Sequence, residues 1–270
     1  MKPDRSFERQ LENLDNESNI IASYIYAEMA IQHAASQSKS LLNRLNSTPT
    51  FWITCSAALQ SAAYIALGRV FDLKSPYNLA ELLASMESNL SLFSREALAD
   101  RKRASGFTDE SRLAEYVASA HVLNIEDIRR LRRSVDRHRA IYDRAIMPVR
   151  HQYLAHRQVR DRTRIANLYA RGKVKEFWHL SSYLVRLHQA LWNQLHNGRQ
   201  PYLRLSRYSP KVMYDSPSAA SGPHERIVRD TRELMRFLEN APPTSAIERT
   251  SSGQQPPSAA HVKRYVRRER

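Results

Sequence analysis

The sequence predicts an all-α protein, an antiparallel helical bundle followed by a disordered basic C-terminal tail. Three observations carry this. Apolar residues recur at three- and four-residue steps through almost every long segment. No run alternates with period two, as a half-buried strand would. Only six glycines, none near another, interrupt the 270 residues. A bundle joined by short connections is the simplest architecture for such a pattern.

The elements follow in order. Ile20, Ile21, Tyr24, Ala27, Ile31, Ala34, Ser38, Leu41 and Leu45 form one apolar face, predicting a long first helix. Thr48-Pro49 reads as an N-cap with proline at the first helical position, opening a helix over 49–71. Phe51–Gly68 carries no charge over 18 residues. It falls short of the ~20 apolar residues of a comfortable membrane span, so it is expected to be a core helix buried all round. Asp72–Pro76 breaks the helix, and Asn78 with Glu81 three residues on opens a short leucine helix. Residues 91–121 read as shorter helices broken near Gly106. Asn124 caps a helix striped by Ile128, Leu131, Val135, His138, Tyr142, Ala145 and Val149, with Pro148 kinking it or beginning another. A last strong helix spans about 174–197.

Past Asn197 the composition shifts to Pro, Gly and Ser. The domain is therefore expected over 1–198 and a linker over 199–223. One further helix is expected at 224–240, with Ile227, Leu234, Phe237 and Leu238 as its apolar face, then a disordered basic tail over 241–270. In the linker, Tyr202, Arg204, Arg207, Tyr208, Lys211 and Tyr214 interleave basic and aromatic side chains. That pattern suits single-stranded RNA and an ordinary sticky linker equally.

Composition narrows the function. Without clustered glycines there is no phosphate-cradling loop and no dinucleotide fingerprint. The lone Cys55 allows no intramolecular disulfide and no cysteine-based zinc site, and it fits a reducing cytosol. Met1–Gln10 is charged and does not read as a secretory leader. The expected location is cytoplasmic, with no membrane partner. The net charge of +15 is concentrated: residues 129–173 hold 14 basic and three acidic residues, a net of +11. A focused basic field points to a polyanionic partner, here RNA.

Within that field lies Arg150-His151-Gln152-Tyr153-Leu154-Ala155-His156. A near-neutral histidine gives and takes protons, and an arginine grips phosphate through a planar fork. Together they meet the needs of RNA cleavage by 2′-OH attack without metal, a cation stabilising the crowded phosphorane. On an α-helix, six residues advance ~9 Å and leave the two side chains roughly 120° apart, so one straight helix does not assemble the pair. The competing reading has Arg150 in a surface ion pair with Asp143 and His156 as an ordinary helix histidine. Neither His151 nor His156 has a sequence-local carboxylate to complete a metal site, so no metal or other cofactor is expected. Glu28, on the first helix, is a candidate outlying carboxylate or part of a solvated face.

Arginine, then a polar residue, then histidine after a short spacer, late in an α-bundle, resembles the HEPN ribonuclease motif. Arg150-His151-(four residues)-His156-Arg157 fits it. Ala57–Leu83, where a helix ends in Arg69-Val70-Phe71-Asp72 before a leucine helix, is similar to the abortive-infection (Abi) subgroup of HEPN proteins. The resemblance covers roughly residues 10–200 and omits the tail. It implies a homodimer whose two motifs line one RNA-cutting cleft, Arg150 binding the scissile phosphate, His156 acting as acid/base and His151 as polar helper. Arg144, Arg157, Arg160, Arg162 and Arg164 are the candidates for holding RNA there. The 124–158 segments are expected to face each other across the two-fold axis. The resemblance also makes room for a phage-defence or toxin role and for a cognate antitoxin or regulator. HEPN toxins paired with nucleotidyltransferase antitoxins have tyrosine two residues after the histidine; this chain has Gln158. Two rivals stand beside the enzyme: a non-catalytic HEPN module binding RNA or a partner protein, and a helical protein whose basic surface holds acidic partners.

Overall fold

The computed structural model describes residues 5–155, 161–169, 172–203, 209–216 and 222–241, and among them there are helices and no strand. The centre is α1 (Arg5–Gln37), whose 33 residues span about 50 Å. It packs against α3 (Pro49–Phe71), α10 (Val174–Asn197) and α12 (Pro223–Asn240). Phe7, Leu11, Leu14, Ile21, Ile25 and Tyr26 form its buried stripe, meeting Leu180, Leu184, Leu187 and Leu191 of α10 in one core.

The helix starts follow their capping chemistry. Ser38 accepts the Leu41 N–H and splits the expected single first helix into α1 and α2 (Lys39–Ser47). The break arises because a serine hydroxyl offers the backbone an alternative to the helical ladder. Asn78 accepts the N–H groups of Ala80 and Glu81 at the start of α4 (Leu79–Ser88). α5 (Arg95–Ala104) and α6 (Glu110–Ala118) flank Gly106, as expected. Asn124 and Asp127 form a reciprocal capping box on α7 (Ile125–Ala145). Ile146 then ends α7 and caps a single helical turn, α8 (Met147–Val149), with Pro148 in its first turn. A π-helical turn, Arg150–Ala155, follows, and then α9 (Arg162–Tyr169). α10 ends on Gly198 at φ 57°, in the left-handed region that glycine enters without penalty.

Three expectations change. The linker contains a short helix, α11 (Pro210–Asp215), lying between α1 and α12. Tyr214 is half-buried, its ring 5.2 Å from His33 in an edge contact and under the Arg232 guanidinium at 5.9 Å. α12 sits where it was expected but centres its buried face on His224, Val228, Thr231 and Met235; of the expected face, Ile227 and Leu238 pack at its edges and Leu234 and Phe237 are exposed. Polar His224 and Thr231 hide that stripe in the sequence. The His224 ring packs edge-on against Tyr26 of α1 at 4.4 Å and sets the helix's rotation.

The third change concerns α3. Its second half is buried through Ala63, Leu67, Val70 and Phe71, but Phe51 is 60% exposed and Ile53 52%. The helix is long and apolar enough to cross a membrane, and 28% of its most apolar 18-residue window is buried. The half-buried positions of its first half are Trp52, Cys55, Ser56, Leu59 and Gln60. Glu28 of α1 is buried rather than solvated, and it bonds Ser56, Gln60 and Gln32. Burial pushes the Glu28 carboxyl above its ordinary range against those hydrogen bonds. Ser56 and Gln60 lie on the Glu28 side with Trp52, Cys55 and Leu59, and Phe51 and Ile53 turn outward.

Candidate active site

The end of α3, the end of α7 and the π turn meet around Arg150. Its Nη1 donates to Asp72 Oδ2 at 2.5 Å and to the Tyr142 hydroxyl at 3.2 Å. Asp72 is the C-cap of α3, its N–H bonded to the Gly68 carbonyl at 3.0 Å, and its Oδ1 accepts the Lys74 N–H. Tyr142 stacks on Phe71, centroids 5.6 Å apart. Residues 71 and 72 therefore hold Arg150 from two sides. Asp143, the partner considered from sequence, pairs with Arg139 instead.

Gly68 supplies the seat. A β-carbon there would stand 2.6 Å from both Cδ and Cζ of Arg150, inside any normal contact. The arginine arm thus lies directly on the α3 backbone. A glycine inside a helix costs about 0.5–1 kcal/mol relative to alanine, and the close approach of Arg150 accounts for its presence. The preceding turn is also tied down: Arg69 forms a two-pronged pair with Glu17 of α1 at 2.7 and 2.8 Å.

Burial raises the Asp72 carboxyl. The Lys74 N–H, the Arg150 hydrogen bond and the charges of Arg150 and His151 outweigh it, leaving Asp72 below the usual carboxylate range. It stays ionised and balances Arg150. Every side-chain hydrogen bond of Arg150 among the described residues leaves from Nη1. Nη2 and Nε are uncommitted there, on a side chain that is a quarter exposed. One corner of the fork is fixed and the rest can donate to a phosphate. His151 Nε2 lies 3.5 Å from Arg150 Nη1 and 3.6 Å from Asp72 Oδ2, so the first histidine of the motif joins this cluster.

His156 lies outside the described residues, as do Arg157 and Arg160. The α-helical offset between Arg150 and His156 no longer applies, because the chain between them winds as a wider π turn, a form that recurs at functional sites. Arg162 opens α9, and Arg164 is exposed behind it, its N–H held by Asp161. Arg144, two residues after Tyr142, pairs with Glu176 at the start of α10 and is partly neutralised. Glu28 bonds Ser56 and Gln60, far up α3 from Asp72, and takes no part in it.

His138, on the same helix, has another role. Its ring stacks on Tyr183 and His179, its Nδ1 meets the Ser134 carbonyl, and burial pulls its pKa down to about 4. It is a neutral packing residue. Sequence reasoning missed Gly68, Asp72 and Tyr142 as site residues. The only signal for them was the Arg69–Asp72 turn, which marks the right place without saying what it touches. Among the described residues no group of three or more His, Cys, Asp or Glu is placed to hold a metal ion.

No curated protein and no solved structure matches the chain. The model of the HEPN_AbiU2 family, described as AbiU2, matches residues 4–209, a span that contains α1 to α10 and the whole Arg150 cluster. The chain is a HEPN module and belongs to the HEPN_AbiU2 family.

Proposed function

We propose that this protein is a metal-independent endoribonuclease of HEPN type, a cytoplasmic effector of phage defence or a toxin. The observation that carries the reading is Arg150, charged, anchored through one nitrogen by Asp72 and Tyr142, with its other donors spare. Arg150 grips the scissile phosphate through Nη2 and Nε. His156 takes the proton of the ribose 2′-OH, whose oxygen attacks phosphorus. Protonated in that step, His156 gives the proton to the 5′-oxygen as its bond to phosphorus breaks, and a 2′,3′-cyclic phosphate remains. His151 assists as a polar neighbour of the phosphate, and Arg144, Arg157, Arg160, Arg162 and Arg164 supply the field that gathers RNA. Purified protein is expected to cut RNA in EDTA and to leave a 2′,3′-cyclic phosphate or its hydrolysis product. Activity that chelator removes and Mg²⁺ restores overturns the mechanism. Protein that binds RNA and never cuts it establishes the binding-module reading.

Self-association belongs to this reading, and beside the 124–158 segments the chain offers a second face for it. The outward side of α7 carries Arg129, Arg130, Arg132, Arg133 and Arg137, all exposed, and Glu126, Asp127 and Glu87 pair with the first four, which lowers the repulsion between two copies joined there. The uncharged first half of α3, with Phe51 and Ile53 outward, is the second face on which two such cations can meet. Light scattering is expected to show a dimer that Phe51→Glu with Ile53→Glu converts to a monomer. A wild-type monomer, or a double variant that stays dimeric, rejects this interface.

A further inference from the structure

Beside the Arg150 cluster, between α4, α7 and the turn joining α3 to α4, lies a cleft of about 110 Å³. Its walls are Phe71, Leu73, Leu79, Leu83 and Val135, and its rim carries Arg132, Asp136 and Arg139. The cleft and the cluster share a wall: Phe71 lines the cleft and stacks on Tyr142, whose hydroxyl holds Arg150. Along α7 the last rim residue, Arg139, stands three residues before Tyr142, about 4.5 Å along the axis. Leu73 and Asp72 are chain neighbours, one facing the cleft and the other holding Arg150.

Resting on the ribonuclease reading, we propose that this cleft receives the base of a nucleotide next to the scissile phosphate, and that it selects a pyrimidine, cytosine above all. Size decides the ring. An apolar cavity of roughly 150 Å³ takes up a single benzene ring; a cleft somewhat smaller and open on one side takes one six-membered ring, and the second ring of a purine would stand outside its apolar walls. Chemistry decides the ligand class. Apolar walls suit the faces of a base, and the two arginines at the mouth suit the backbone outside it. Arg132 is held at the rim by Glu87, and Arg139 by Asp143. The edge is read by Asp136. It is exposed at the rim, and among the described residues its carboxylate makes no hydrogen bond or ion pair. An acidic oxygen accepts from the exocyclic amino group of cytosine and meets a carbonyl oxygen where uracil carries O4 instead.

The test uses the full chain and labelled 2′-fluoro RNA strands of cytosine, uracil or adenine, equal in length and charge. They lack the attacking hydroxyl, so base recognition is read apart from cleavage: failure to cut natural RNA strikes the enzyme reading and leaves this measurement standing. Fluorescence anisotropy is expected to rank cytosine over uracil over adenine, the first exceeding the last by about tenfold. Asp136→Ala should erase the difference between cytosine and uracil and keep both above adenine. Ala80→Trp, on an exposed lining position, should fill the cleft and erase all preference while circular dichroism and Tm hold. Equal binding of the three strands, no binding at all, or an unchanged ranking in Ala80→Trp overturns the proposal. So does free cytidine monophosphate competing as strongly as the strand, which would make the ligand a free nucleotide.

Discussion

Arg150→Ala and His156→Ala are each expected to abolish RNA cleavage in a protein that still folds. They should differ in what else they lose. His156→Ala removes the proton-transfer group, a contribution typically of 10²–10⁴-fold, and should leave RNA affinity nearly unchanged. Arg150→Ala removes a charge-assisted phosphate contact worth on the order of 1.5–3 kcal/mol, so binding weakens as well. It also strips Asp72 of its counter-charge. That carboxylate is only 16% exposed, and an unpaired group of this kind costs about 1–3 kcal/mol, so Tm should fall for Arg150→Ala and hold for His156→Ala. Arg150→Lys separates the two losses. A lysine still neutralises Asp72 and recovers stability, but it lacks the planar fork that reaches past Asp72 to a phosphate. Its expected phenotype is a stable and inactive protein. Cleavage that persists in Arg150→Ala and His156→Ala alike places the chemistry elsewhere.

The features legible in the sequence are those written in neighbouring residues. Thr48-Pro49, Asn78 and Asn124 gave three helix starts correctly, because caps are decided within four residues. The Arg150 motif was visible for the same reason. Its partner was not: Asp72 lies 78 residues away, and nothing local distinguishes it from Asp143, the nearer carboxylate. Apolar periodicity likewise misjudged α3 and α12. In both, a buried polar residue, Glu28 for one and His224 for the other, sets which face turns inward, and a hydrophobic pattern gives such residues no weight. Gly68 was legible only as a flaw in a good helix. It takes the position of Arg150 to show why the flaw is kept.

Gly68→Ala is therefore the most discriminating substitution near the site that touches no chemical group. By helix propensity it should stabilise α3 by about 0.8–1 kcal/mol. The new β-carbon would fall 2.6 Å from Cδ and Cζ of Arg150. A flexible side chain yields before a packed helix does, so the arginine arm swings off its seat and the bond to Asp72 is lost. Asp72 then loses its counter-charge, at about 1–3 kcal/mol, and the helix gain offsets part of this, so Tm should fall less than in Arg150→Ala. Activity should move a great deal, since a displacement of about 1 Å in a positioned group can cost 10²-fold in rate. Asp72→Asn provides the matching test from the other side, removing the anchor's charge without filling the seat. If Arg150 works only where Gly68 and Asp72 put it, both variants fall by a similar factor in kcat while circular dichroism stays native. A fully active Gly68→Ala protein shows that catalysis does not need the arm on the α3 backbone. Loss in Gly68→Ala alone, with Asp72→Asn active, keeps the seat and removes the anchor from the mechanism.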